Sequence, residues 1–326
     1  MRRAILCAIA IALPFWDAAS AIAQDWPTRP VTLVVPFAAG GSVDVMGRIL
    51  SARLGEVLGQ QVIVENVGGA GGMLGSLRVA KAAPDGYEFV LGIAGTHAQN
   101  QTLYKHPLYN AATDFAPVEL IAEQPTVLTT RKDLAPDNLQ QFIAYSKANQ
   151  AKMQFGSAGA GSANHLACVL LNAAMGVNVT HVPFRGGGPA MQELLAGRID
   201  YMCNIVTNAL PQIEARMVKP IALLSTRRSP ALPGVASAAE QGLPDLDAST
   251  WYAAFLPKGT PQPTVQKLNA AIEATVNTPA VQERLKEIGA DLVAPERRSP
   301  EYLAKFVASE IARWAGPIKA SGVSMD

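Results

Sequence analysis

Three glycine-containing loops, each between a short apolar run and residues at helical spacing, most restrict what this chain can fold into. They occupy residues 36–42, 156–162 and 184–189. The run before the first, Val31-Thr32-Leu33-Val34-Val35, is short and β-branched, as expected of a strand buried on both faces. After that loop, Val45, Met46, Ile49, Leu50, Leu54, Val57 and Leu58 recur at helical spacing until Gly59 stops the helix. A strand at 61–65, a second glycine-rich stretch at 66–72, a helix at 73–83 and a strand at 87–93 continue the alternation. Such alternation predicts an α/β fold with a largely parallel sheet and helices on both faces.

The middle of the chain has its own set of elements. Helices are predicted at 137–149, 162–175 and 189–196, and strands at 153–156, 179–182, 199–203 and 221–225. Longer apolar segments at 117–130 and 248–256 bracket this block and read as two strands crossing between two lobes. The first lobe is then discontinuous, residues 27–121 and 253–326, and the second is 122–252. Helices near 264–276, 281–288 and 300–314 complete the first lobe.

The N-terminus reads as an export signal. Arg2 and Arg3 precede an apolar stretch at 4–15, and Ala21 and Ala23 put small residues at −3 and −1 before Gln24. Twelve residues are too few to span a bilayer core, which needs about 20. Cys7 lies inside the apolar stretch, not at its end, which argues against a lipoprotein. Removing Arg2, Arg3 and Asp17 from 27 basic and 26 acidic residues leaves 25 of each. A neutral mature chain carries no basic field for nucleic acid or a membrane surface. Cys168 and Cys203 remain; they either form a disulfide or pack as free thiols in apolar stretches. Cys168 lies one helical turn after His165, a spacing open to a thiol–base pair or to two packed helix residues.

In open α/β sheets, ligands gather at the carboxyl ends of the strands. A helix N-terminus there offers unpaired N–H groups and partial positive charge, which suits a carboxylate. One loop falls in the first lobe and two in the second, so the pattern predicts an anion clamp at a shared cleft. Enzyme motifs are missing. No P-loop or G-x-S-x-G elbow occurs, and Leu74 takes the third glycine position of a dinucleotide fingerprint starting at Gly69. His97, His106, His165 and His181 show no i, i+4 pairing and no accompanying acids, so no metal or cofactor is expected.

The stretch Pro36-Phe37-Ala38-Ala39-Gly40-Gly41-Ser42-Val43-Asp44 resembles the ligand loop of Bug-type extracytoplasmic solute receptors of tripartite tricarboxylate transport systems. The likeness continues through Val64-Glu65-Asn66, Ala83-Pro84-Asp85-Gly86-Tyr87, Gly156-Ser157-Ala158-Gly159, His181-Val182-Pro183-Phe184-Arg185-Gly186 and Gly197-Arg198-Ile199-Asp200. It implies a type II-like periplasmic binding protein, a small carboxylate ligand held partly by backbone N–H groups and waters, and membrane transporter subunits as partners. A monomer is expected. Asn204, Cys203 and Val169 depart from the aspartate, phenylalanine and glutamate common in such receptors, which leaves ligand identity open.

On this reading Phe37 and Trp251 form apolar walls. The backbones of Ala38, Gly40, Gly41, Ser157 and Gly161, with the hydroxyls of Ser162 and Thr96, hold the anion. Ser42, Asp44, His97, Ala158, Gly186 and Asn204 are further candidate contacts. Arg185 either pairs with a second carboxylate or is a solvated loop charge, and His165 either braces its helix or touches ligand. Two other readings share the sequence: a receptor that reports to a membrane sensor, and an exported enzyme using Cys168 or His165 on a small acid.

Overall fold

The computed structural model describes residues 26–326; the export signal and its cleavage site lie outside the described residues. The chain begins β1 (Val31–Val35), α1 (Ser42–Leu58), β2 (Val62–Asn66), α2 (Met73–Ala80), β3 (Glu88–Ile93), α3 (Asn100–Leu103) and β4 (Phe115–Gln124). It continues with β5 (Thr126–Arg131), α4 (Leu139–Asn149), β6 (Gln154–Ser157), α5 (Ala163–Met175), β7 (Thr180–Pro183), α6 (Gly187–Leu195), β8 (Tyr201–Ile205), α7 (Val206–Glu214) and β9 (Val218–Leu223). The last part is β10 (Thr250–Pro257), α8 (Gln262–Val276), α9 (Pro279–Glu287), β11 (Asp291–Leu292) and α10 (Pro300–Ala320).

Two sheets form two lobes. The first has the order β11-β4-β10-β3-β1-β2 and the second β7-β6-β8-β5-β9. β1 is buried along nearly its whole length, as its unbroken apolar run predicts. Gly59 ends α1 in the left-handed conformation, φ 67°, which only glycine adopts without cost.

The sheets are mixed, which corrects the largely parallel expectation. β1 is parallel to β2 and β3, and β6 to β7 and β8. β10, however, is antiparallel to β3 and β4, and β5 to β8 and β9. The crossing strands cause this, because they traverse between lobes instead of returning through a crossover helix. The first crossing is also not one strand: β4 stops at Gln124 and β5 starts at Thr126. Pro125 between them lacks an N–H for either ladder. Its carbonyl accepts the Val206 N–H at the start of α7, and Thr126 Oγ1 donates to the Ala248 carbonyl beside the second crossing.

Cys168 on α5 and Cys203 on β8 form a disulfide, with Cα atoms 5.3 Å apart. The thiol-nucleophile reading of Cys168 is thereby overturned. The bond ties the helix to the strand it covers, and both residues are fully buried.

Candidate functional site

The first loop is built to present N–H groups. Gly41 is the N-cap of α1 and has no side chain to cap with, so the first-turn donors stay open. Asp44 braces the loop from inside the helix. Its carboxylate accepts from Gly40 N at 2.9 Å, Arg48 Nε at 3.0 Å and Asn66 Nδ2 at 3.0 Å. Burial pushes the Asp44 carboxyl up, but the hydrogen bonds from Arg48, Gly40 and Asn66 outweigh it and hold the pKa below the usual value. Asn66 also donates to the Phe37 carbonyl at 3.0 Å. Asp44 and the Gly40 N–H are therefore spent on the loop's shape, a correction to their candidate role as ligand contacts. The Gly41 N–H makes no hydrogen bond among the described residues.

In the second lobe α6 starts in the same way, with Gly186 as N-cap and no side-chain cap. The N–H groups of Gly187 and Gly188 likewise find no acceptor among the described residues. The two helix starts face each other. A methyl placed on Gly41 would stand 3.5 Å from the Gly187 nitrogen and 3.7 Å from the Gly188 nitrogen. Each N-terminus carries roughly half a positive charge. Two such ends repel unless an anion lies between them.

The lobes touch around this point. Ala38 N donates to the Arg185 carbonyl at 3.2 Å, and Tyr104 Oη to the Ala160 carbonyl at 3.0 Å. Phe37 is buried and shares an apolar cluster with Ala158, Ala163 and Ile205 of the opposite lobe. The cleft is closed.

Comparison with known proteins accords with this geometry. A sequence profile described as "Tripartite tricarboxylate transporter family receptor" matches residues 46–323. The chain belongs to this receptor family. MatC from Rhodopseudomonas palustris with bound malate is 41% identical, with a TM-score of 0.88 over 90% of this chain and 100% of that one. The periplasmic binding protein BugD is 39% identical, with a TM-score of 0.89 over 92% of this chain and 100% of that one. Rpa4515 of R. palustris with adipate is 35% identical, with a TM-score of 0.87 over 92% of this chain and 99% of that one. Receptors of this family are periplasmic solute-binding proteins.

Within this receptor several predicted contacts have other occupations. The Ala38 N–H is used between lobes, as above. The Thr96 hydroxyl turns back onto the end of β3, accepting from Ile93 N at 3.0 Å, and bonds His97 Nδ1 at 2.8 Å. His97 itself lies in the first-lobe core, stacked on Phe255 at 4.0 Å. Trp251 donates from Nε1 to Glu310 Oε2 at 3.0 Å and packs against Phe306 of α10, so it belongs to the helix packing and not to a wall beside Phe37. Arg185 is exposed and forms no ion pair among the described residues; its carbonyl, not its guanidinium, reaches the other lobe. Ser42 is buried beside the Tyr252 phenol. Asn204 is fully buried behind α6, donating to Thr129 Oγ1 at 2.6 Å.

The residue 157–161 loop is held by two histidines whose partnership is not visible in the sequence. Ser157 Oγ bonds His181 Nε2 at 2.7 Å, and His165 Nδ1 accepts the Gly161 N–H at 3.2 Å. The Ser162 hydroxyl caps α5 by accepting from His165 N. The Gly161 N–H and the Ser162 hydroxyl, both expected to hold the anion, are therefore spent on the loop's shape, and His165 braces the loop and the start of its own helix. The two rings stack at 4.1 Å.

Burial pushes His165 down to about 3, helped by His181, and pushes His181 to about 4 and His97 to about 3. All three stay neutral when folded, whereas the unfolded chain takes up protons near 6.5. Their stabilisation is full above about pH 6.5 and is lost as pH falls toward the folded values. For His97 alone the loss between pH 7 and pH 5 is on the order of 2 kcal/mol. The thermal midpoint is expected to fall by several degrees between pH 7 and 5. A flat midpoint over that range would show that the rings are not buried neutral.

Proposed function

We propose that this chain captures a small carboxylate in the periplasm and delivers it to the membrane subunits of a tripartite tricarboxylate-type transporter. It acts as a monomer whose lobes, residues 27–121 with 253–326 and residues 122–252, close on the ligand without chemistry. The observation that carries this reading is the opposition of the α1 and α6 N-termini, whose Gly41, Gly187 and Gly188 N–H groups have no acceptor among the described residues. MatC and Rpa4515 were solved with malate and adipate, both dicarboxylates, which supports the same ligand class here.

The site also argues against an α-ammonium group. Asp44 is saturated by three donors, and position 204 is an amide bonded to Thr129 and Asn208. No spare carboxylate of these elements pairs an ammonium, and burying an unpaired cation is costly. A ligand at about 100 times its Kd adds about 2.7 kcal/mol to stability, or roughly 5 °C for a chain of this size. Malate, succinate and adipate are expected to give such shifts and to be recovered unchanged. Aspartate and glutamate should give little. If the amino acids shift the midpoint and the plain acids do not, the ligand assignment is wrong.

A further inference from the structure

The first turn of α6 is Gly187-Gly188-Pro189, and neither glycine at the donor positions has a side chain to hold it in place. Asn208, half-buried on α7, supplies the missing support. Its Nδ2 donates to the Gly187 carbonyl at 3.1 Å and to Asn204 Oδ1 at 2.9 Å. Asn204 on β8 donates in turn to Thr129 Oγ1 on β5 at 2.6 Å, and both are fully buried. An unbroken polar relay thus runs from the second-lobe sheet to the start of α6. The Gly187–Gly188 peptide is planar and trans, so its N–H points opposite to its carbonyl. Holding the carbonyl on Asn208 turns the Gly188 N–H away from α7, and the Gly188 nitrogen lies 3.7 Å from a methyl placed on Gly41.

We propose that Asn208 is a positioning residue for the ligand's carboxylate: it does not touch the anion but fixes the second-lobe N–H donors that do. This rests on the carboxylate reading above. The position facing the Gly187 carbonyl must donate. An alanine there removes the donor. An ionised aspartate of the same shape sets a negative charge against two carbonyl oxygens and behind the anion. Those surroundings raise the aspartate's pKa, and once protonated it donates again.

The experiment compares wild type, Asn208→Ala and Asn208→Asp by calorimetric titration with malate and with adipate from pH 8 to pH 5. Thermal midpoints without ligand are recorded alongside. At pH 8, Asn208→Ala is expected to raise Kd roughly tenfold, the loss of one hydrogen bond to a half-buried acceptor. Asn208→Asp is expected to raise it further, with its ratio to wild type falling toward one as the pH is lowered. Failure of the wild type to bind either acid would overturn the ligand reading itself. Wild-type binding with both variants matching it at every pH would overturn the role of Asn208 alone. So would a pH-independent loss in both variants that tracks a lowered midpoint without ligand, because that is a general folding defect.

Discussion

Gly71→Ala is expected to leave a folded receptor that no longer closes, with the Kd for its carboxylate raised on the order of 100-fold. Gly71 lies in the first lobe with φ 60°, and a methyl on it would stand 2.4 Å from the Ala160 carbonyl oxygen and 2.6 Å from the Gly161 carbon of the second lobe. Both obstacles are backbone, so no rotamer change relieves them, and the lobes must part. Parting withdraws the Gly187 and Gly188 donors from the anion held at Gly41. Hydrogen bonds to a charged group are worth about 1.5–3 kcal/mol each, and losing two of them is worth about 100-fold or more in affinity. Alanine in the left-handed region adds roughly 1–2 kcal/mol of strain, so the ligand-free midpoint falls by a few degrees only. Small-angle scattering supplies the second readout. The wild type should contract when saturated with acid and the variant should not, since a ligand shifts the equilibrium only through contacts made in the closed state. An unchanged Kd with the same contraction would mean that the 71/160 contact does not limit closure.

Much of this architecture is legible in the sequence where local rules and tertiary demand coincide. β1 is a continuous β-branched run because it is buried on both faces, and Gly59 marks the end of α1 because that turn needs a left-handed residue. The glycine loops disclose the starts of α1 and α6 by the same logic. What stays hidden depends on partners distant in sequence. α7 follows β8 with no intervening loop and contains Pro211, so no punctuation separates it, and with it went Asn208. The stacking of His165 on His181 joins a helix to a strand, and no periodicity encodes that. Thr96 and His97, candidate contacts in the sequence, follow β3 closely. A π-helical turn over Gly95–Gln99 folds them into the core instead. Pro125 is a local signal for the break between β4 and β5: a proline within an apolar run argues against an unbroken strand.

The disulfide is the other place where a single change should have a large effect. Cys168 and Cys203 are 35 positions apart, and cross-linking a loop of that size removes unfolded-chain entropy worth roughly 3–4 kcal/mol. At about 2 °C per kcal/mol for a chain of this length, Cys168→Ala with Cys203→Ala is expected to lower the thermal midpoint by roughly 6–8 °C. The bond also bears on the site. α5 starts at the Ser162 cap and carries His165, which holds the Gly161 N–H. Asn164 donates to the Cys203 carbonyl at 2.8 Å, a second tether between the same helix and strand. Because that tether survives the double substitution, ligand affinity should change far less than stability, within a few-fold of wild type. Calorimetric scans of wild type and the double variant, each with and without malate, separate the two effects. Equal midpoints, or two free thiols titrated in unfolded wild-type protein purified from the periplasm, would show that the bond contributes nothing to the native receptor.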